Sequence, residues 1–256
     1  MAKLIKSKVL VTGNIVEVFE YSTGYYTDYS DSTKGGRKPN SEKPNNESQT
    51  QNREAVLRRA KSNLRRLINS NHLQYPNVKN SKFVTLTFAD DIQDVEIANK
   101  EFRKFVKRLN YLVYQTKVQK LKYSCVIEFQ ESGRVHYHII FYNLPYIKSK
   151  DLSDCWGNGF VKINKIENVT NVGAYISSYL GDPKKSQGRS VGDSRLQSKK
   201  SYFNSRGLKK PIEIIDKKKV ESLVHSLPNE KITYSDKFEN EFVGTITYKQ
   251  YNLNDL

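Results

Sequence analysis

The sequence predicts an α+β fold, with a mainly antiparallel central sheet of about five strands flanked by helices. Three observations point there. Lys82 to Phe88 alternates as a half-buried strand does, with Val84, Leu86 and Phe88 on one face and Phe83, Thr85 and Thr87 on the other. Leu121 to Gln130 and Arg134 to Asn143 are two further strand-length runs, and Glu131-Ser132-Gly133 between them has the length and the glycine of a hairpin connection. Around these strands, apolar residues recur at the three- and four-residue spacing of amphipathic helices.

Along the chain, Val9 to Tyr21 alternates well enough for one strand, and Tyr25 to Asn52, rich in Ser, Asn, Gly, Lys and Pro, reads as a linker or long loop. A helix follows over Arg53 to Asn69. Leu57, Ala60, Leu64, Leu67 and Ile68 form its stripe, and Arg58, Arg59, Lys61, Arg65 and Arg66 cover the rest, facing phosphates or simply solvent. Asp94 to Val113 is a second helix, with Val95, Ala98, Phe102, Phe105, Val106, Leu109 and Leu112 as its apolar stripe. Phe160 to Ile166 is a short strand, and Asn168 to Leu180 a helix with Val169, Val172, Ile176 and Leu180 inward and Gly181 at its end. Glu241 to Tyr251 offers one more strand. The domains expected are an N-terminal extension at 1–78, a core at 79–182 and a basic C-terminal region at 183–256, partly packed on the core.

A chain of 256 residues can bury one substantial core with additions. Its 37% hydrophobic and 27% charged residues suit a soluble protein, and no apolar segment approaches a membrane span. No signal peptide is visible, and Cys125 and Cys155 lack metal-ligand spacing, so a reduced, cytoplasmic location is expected. The formal charge of +16 favours a polyanionic partner. From Lys184 to Lys219 there are twelve basic residues and three acidic ones. Lys184, Lys185, Arg189, Lys199, Lys200, Arg206, Lys209 and Lys210 are the candidate DNA contacts there. Tyr202 and Phe203 lie in the same stretch, either stacking on bases or anchoring a loop.

Chemistry concentrates in two places. His136 and His138 are two apart in one strand, so both imidazoles share a sheet face while Tyr137, Ile139 and Phe141 point the other way. On the preceding strand, Glu128 and Gln130 fall opposite the apolar face of Tyr123, Cys125, Ile127 and Phe129. If the two polar faces coincide, a carboxylate from Glu128, or the amide of Gln130, joins the imidazoles. Two histidines and a carboxylate with open positions make a divalent-metal site, and a phosphate substrate suits Mg²⁺ or Mn²⁺. A His-x-His pair can equally be two surface histidines. The second place is Tyr175 and Tyr179, one helical turn apart on one side, where two phenols can visit one site or merely flank the apolar stripe.

Three segments, in this order, resemble the motifs of HUH-type endonucleases, specifically the replication initiators of rolling-circle plasmids and phages. Phe83-Val84-Thr85-Leu86-Thr87-Phe88 is similar to their first motif, His136-Tyr137-His138 to their metal-binding second motif, and Gly173-Ala174-Tyr175-Ile176-Ser177-Ser178-Tyr179-Leu180 to the helix that carries nucleophilic tyrosines. The resemblance covers roughly residues 55 to 182, with Asn63 to Ile68 and Ser205 to Pro211 as similar flanking pieces. One departure stands out: the family often has a lysine three residues after the first tyrosine, where this chain has Ser178, and another near the helix end, where it has Gly181-Asp182; Lys184 or Lys185 is the candidate replacement.

The resemblance implies an HUH endonuclease fold and metal-dependent nicking and joining of origin single-stranded DNA through a 5′-phosphotyrosine, with Tyr175 as primary nucleophile and Tyr179 second. It implies supercoiled or single-stranded origin DNA as partner and, with no Gly-Lys-Ser/Thr phosphate loop in the chain, a separate host helicase. Conjugative relaxases share the chemistry but place their tyrosine before the histidine motif, whereas here it follows. A single-tyrosine transposase shares the chemistry too, and a DNA-binding relative without catalytic activity would share only the fold.

Overall fold

The structure, a computed structural model, describes residues 2–27, 46–76, 81–166, 171–180 and 200–253. In chain order it contains β1 (Lys3–Thr12), β2 (Ile15–Thr27), α1 (Asn46–Asn69), β3 (Lys82–Thr87), α2 (Val95–Tyr114), β4 (Tyr123–Phe129), β5 (Val135–Phe141), α3 (Ser149–Trp156) and β6 (Val161–Lys165). After these come α4 (Val172–Ser177), β7 (Tyr202–Asn204), β8 (Ile212–Ile214), α5 (Lys217–Ser226), β9 (Ile232–Asn240) and β10 (Gly244–Asn252). Among the described residues the strands form two five-stranded antiparallel sheets, and with the helices they make the α+β fold expected from the sequence. No described helix is long and apolar enough to cross a membrane.

The chain divides into two compact units, Thr50–Lys209 and the two ends together, Met1–Gln49 with Lys210–Leu256. In the unit of the chain ends the sheet order is β8-β1-β2-β10-β9. The single strand expected over Val9 to Tyr21 is in fact a hairpin. Thr12 pairs with Ile15, and Gly13 takes the positive φ of 63° that so tight a reversal needs. Alternation continues on both sides of the turn, which hides it from a reading of period alone. β2 then extends to Thr27 and α1 begins at Asn46, so the expected linker is shorter at both ends; residues 28–45 lie outside the described residues. The tail strand is half of a β9–β10 hairpin. Helix α5 is capped by the Asp216 carboxylate, which accepts from the Lys219 amide at 3.1 Å. Its Val220, with Leu227 just beyond its end, packs against Val9, Val16, Val18 and Tyr251.

In the other unit the order is β6-β3-β5-β4-β7, and both faces of the sheet are covered. One face sets Val84, Leu86, Cys125, Ile127, Tyr137, Ile139 and Phe141 against Phe102, Phe105 and Leu109 of α2 and Trp156 of α3. Each fully buried side chain of this kind contributes about 1.5–3 kcal/mol. The Asp94 carboxylate starts α2 by accepting from the amides of Glu96 at 2.6 Å and Ile97 at 3.0 Å. Helix α3 has no side-chain cap and was not expected; tertiary contacts hold it, with Leu152 and Trp156 buried and Arg108 donating to the carbonyls of Cys155 and Trp156 at its end. Phe203 packs edge-on to Phe102, centroids 4.9 Å apart, and half-buried Tyr202 packs on the opposite cluster, so both act as anchors.

The second face carries Phe83, Val126 and Ile140 beneath Leu64 and Ile68 of α1 and Val172, Ile176 and Leu180. Helix α4 starts at Val172 rather than Asn168 because Asn171 caps it, and it ends in a 3-10 turn over Ser178–Leu180; residues 167–170 lie outside the described residues.

Between α1 and β3, His72 meets Ser81 Oγ at 3.1 Å, and burial lowers its pKa from 6.5 to about 4. The unfolded chain therefore takes up a proton near 6.5 that the folded chain refuses until about 4. Stability from this site is present above 6.5 and is lost as pH falls from 6.5 toward 4. Melting curves across that range should fall less steeply for His72→Gln than for the wild-type protein; parallel curves would show that His72 carries no such coupling.

Candidate metal centre and its tyrosines

The site grows out of strand register. Thr85 lies opposite His138 and Thr87 opposite His136 on β5, while Glu128 lies opposite His136 from β4. All five side chains therefore stand on the face beneath α1 and α4. The ligating atoms of Glu128, His136 and His138 lie within 4.8 Å of one another. His138 and Glu128 are buried, and the Nε2 of His138 and a carboxylate oxygen of Glu128 are hydrogen-bonded. The two threonines orient the rings: Thr85 Oγ1 is 3.3 Å from His138 Nδ1, and Thr87 Oγ1 is 2.6 Å from His136 Nε2.

Burial, and then the neighbouring His138, lower the pKa of His136 to about 4, which keeps its imidazole neutral near pH 7, the form that ligates metal. Two imidazoles and a carboxylate on one buried face fit a divalent cation, with coordination positions left for a substrate. Gln130, the alternative third ligand, is not part of the Glu128–His136–His138 group, but its buried Oε1 has no hydrogen-bond partner. An orphaned acceptor one pleat beyond Glu128 suits a polar or cationic guest at that end.

The tyrosines come from above. Tyr179 stacks on His138 with centroids 4.0 Å apart, Phe83 lies beneath both phenols, and the hydroxyls of Tyr175 and Tyr179 are 3.2 Å apart. Tyr175 is 43% exposed, so a substrate can reach it. The change from α-helix to 3-10 turn between them leaves the two phenols side by side. Ser178, where the resembled family often has lysine, hydrogen-bonds back to the Tyr175 carbonyl at 2.6 Å and brings no charge.

What sets the height of α4 is a polar junction with α1. The Asn69 side chain donates to Asn171 Oδ1 at 3.0 Å and accepts from the Gly173 amide at 2.8 Å. A Cβ on Gly173 would fall 2.2 Å from the Arg65 carbonyl oxygen, so only glycine allows this approach. Sequence reading had Gly173 in its motif but missed Asn69 and Asn171; the Asn171 cap three residues before Ala174 was a legible signal.

Of the expected DNA contacts, Lys184, Lys185, Arg189 and Lys199 lie outside the described residues. Lys200, Arg206, Lys209 and Lys210 are exposed. Lys209 is held by backbone hydrogen bonds to the Asn71 side chain, and the Arg206 carbonyl accepts from Lys122 at 2.7 Å. Sequence reading also passed over Lys162, which pairs with Thr85 from β6.

Gly173→Ala should cost about 1–3 kcal/mol in denaturant unfolding, because backbone must move to admit the methyl group. It should also weaken the ring-current shift that Tyr179 imposes on the His138 ring protons in NMR spectra. An unshifted spectrum and unchanged stability would show that the junction does not set the tyrosines' position.

No curated protein and no solved structure matches this chain. Residues 81–184, the stretch that holds Thr85, Thr87, Glu128, His136, His138 and both tyrosines, match the family model of replication-associated proteins of the ORF2 type, which supports a replication-initiator role with DNA as partner.

Proposed function

We propose that this protein nicks and rejoins origin single-stranded DNA, in a metal-dependent reaction with a tyrosine nucleophile, as an initiator of rolling-circle replication. The stacking of a tyrosine on His138, the residue that also meets Glu128, carries the reading: nucleophile and metal ligands share one patch. Glu128, His136 and His138 would hold the ion. When bound, Mg²⁺ or Mn²⁺ supplies positive charge to a non-bridging oxygen of the scissile phosphate.

The remaining work falls to the chain. Tyr175 Oη attacks phosphorus, the P–O3′ bond breaks, the phenol proton passes to solvent and the 3′ oxygen takes one up. The products are a 5′-phosphotyrosine and a free 3′-hydroxyl that primes synthesis. Attack by a 3′-hydroxyl on the phosphotyrosine reverses the step without ATP, since the ester conserves the bond. Tyr179, its hydroxyl 3.2 Å from that of Tyr175, is placed to cleave the regenerated origin while Tyr175 still holds the first end. Lys200, Arg206 and Lys209, with Lys184, Lys185, Arg189, Lys199 and Lys210, supply phosphate contacts, and a separate host helicase unwinds the duplex.

Replacing both histidines, His136→Ala with His138→Ala, should abolish nicking while leaving duplex binding largely intact, and that binding should weaken steeply with salt in a gel-shift titration. Nicking that survives the double replacement would remove the metal site from the mechanism.

The tyrosines are separated by mass spectrometry of the adduct formed on a suicide oligonucleotide. Tyr175→Phe keeps the ring and deletes the oxygen, so the covalent adduct should fall to background. Tyr179→Phe should retain first-strand cleavage and lose the later cleavage. An adduct on Tyr179 alone would reverse the roles, and an adduct on neither would take this helix out of the reaction.

A further inference from the structure

Strand β6, at the edge of the sheet, runs beside the metal ligands, and its register decides which of its side chains share their face. Lys162 pairs with Thr85 and Asn164 with Phe83, and the Thr87 amide donates to the Phe160 carbonyl at 2.9 Å. Phe160, Lys162 and Asn164 therefore stand in one column on the site face, about 6.8 Å from one to the next. Across the sheet, one row runs Phe160, Thr87, His136, Glu128, and the next runs Lys162, Thr85, His138.

The column is exposed and firmly based. Phe160 is 67% exposed, and Lys162 and Asn164 are also open to solvent. Just before it, Gly159 lies so close to β3 that a Cβ would meet the Thr87 carbonyl oxygen at 2.4 Å. The Ala89 amide donates to the Asn158 carbonyl at 2.8 Å, so the approach to Phe160 is pinned to the end of β3. A phenyl ring left in water on a rigid base, next to a row of metal-ligating groups, is not accounted for by packing. An aromatic ring, a cation and an amide at alternate positions of one strand match what a single nucleic-acid strand offers: a base face, a phosphate and a base edge.

We infer that this column seats single-stranded DNA next to the cleaved phosphate, with Phe160 stacking on one base and Lys162 holding a backbone phosphate. The inference rests on the reading of the site as a DNA nickase. It supplies, from a strand, the cation that the tyrosine helix lacks at Ser178. Because a stacked base is accepted whatever its identity, the seat would position the strand rather than select its sequence.

The test measures fluorescence anisotropy of a labelled single-stranded oligonucleotide with the full chain in chelator, so that binding is read without cleavage. Phe160→Ala should weaken binding about tenfold, and Phe160→Trp should restore it. Lys162→Gln should reduce the slope of log affinity against log salt by about 0.7, as expected for one lost phosphate contact on a single strand. Wild-type affinity and slope in both Phe160→Ala and Lys162→Gln would overturn the seat. The adduct assay with Mg²⁺ is run alongside on the wild-type protein. No wild-type adduct together with the expected binding losses would sink the nicking reading and leave the seat standing; a wild-type adduct with unchanged binding in the variants would do the reverse.

Discussion

The antiparallel register of β5 between β3 and β4 underlies everything at the site. It sets His138 beside Thr85, and His136 between Thr87 and Glu128. A slip of one residue would turn both imidazoles into the core and bring Tyr137 and Ile139 to the site face. The opposite face forbids that slip. Tyr137, Ile139 and Phe141 are wholly buried against α2, and the Tyr137 hydroxyl finds Asn99 at 2.8 Å. The hydrophobic half of the strand thus holds the polar half in place, and burial of Glu128 is tolerable because His138 is hydrogen-bonded to it.

A second constraint governs the approach of the tyrosines. Helix α4 is short, and few residues hold it. Val172, Ile176 and Leu180 supply apolar contact, which resists separation but tolerates sliding. The Asn69–Asn171–Gly173 junction is directional and leaves no room for a side chain at Gly173. A helix with apolar contact alone could keep its stability and lose its alignment. The polar junction supplies the alignment, at the end nearest Tyr175.

Much of this was legible before the fold was known, where local pattern and tertiary demand agree. Val84, Leu86 and Phe88 alternate with Phe83, Thr85 and Thr87 because both faces of the sheet are covered by different partners. Asp94 announces the start of α2 through its side-chain cap. Where the pattern is continuous across a reversal, as through Gly13, it misleads. Where a helix is held by contacts rather than by caps, as with α3, pattern is silent. The pairing of β1 with β8, and of β2 with β10, joins residues some two hundred positions apart, and no local signal announces it.

The sequence by itself determined the chemistry available: two imidazoles on one strand face, a carboxylate or an amide on the next, and two phenols one turn apart. These follow from the periods of strand and helix, which are properties of the backbone alone. The tertiary structure decided which of them meet. Turn length at Glu131-Ser132-Gly133 set Glu128, not Gln130, among the imidazoles, since the hairpin register places Glu128 opposite His136. Helix packing set Tyr179 on His138, and sheet order set β6 at the edge with Phe160 and Lys162 beside the ligands. Those are distances between segments far apart in the chain, which only packing can determine.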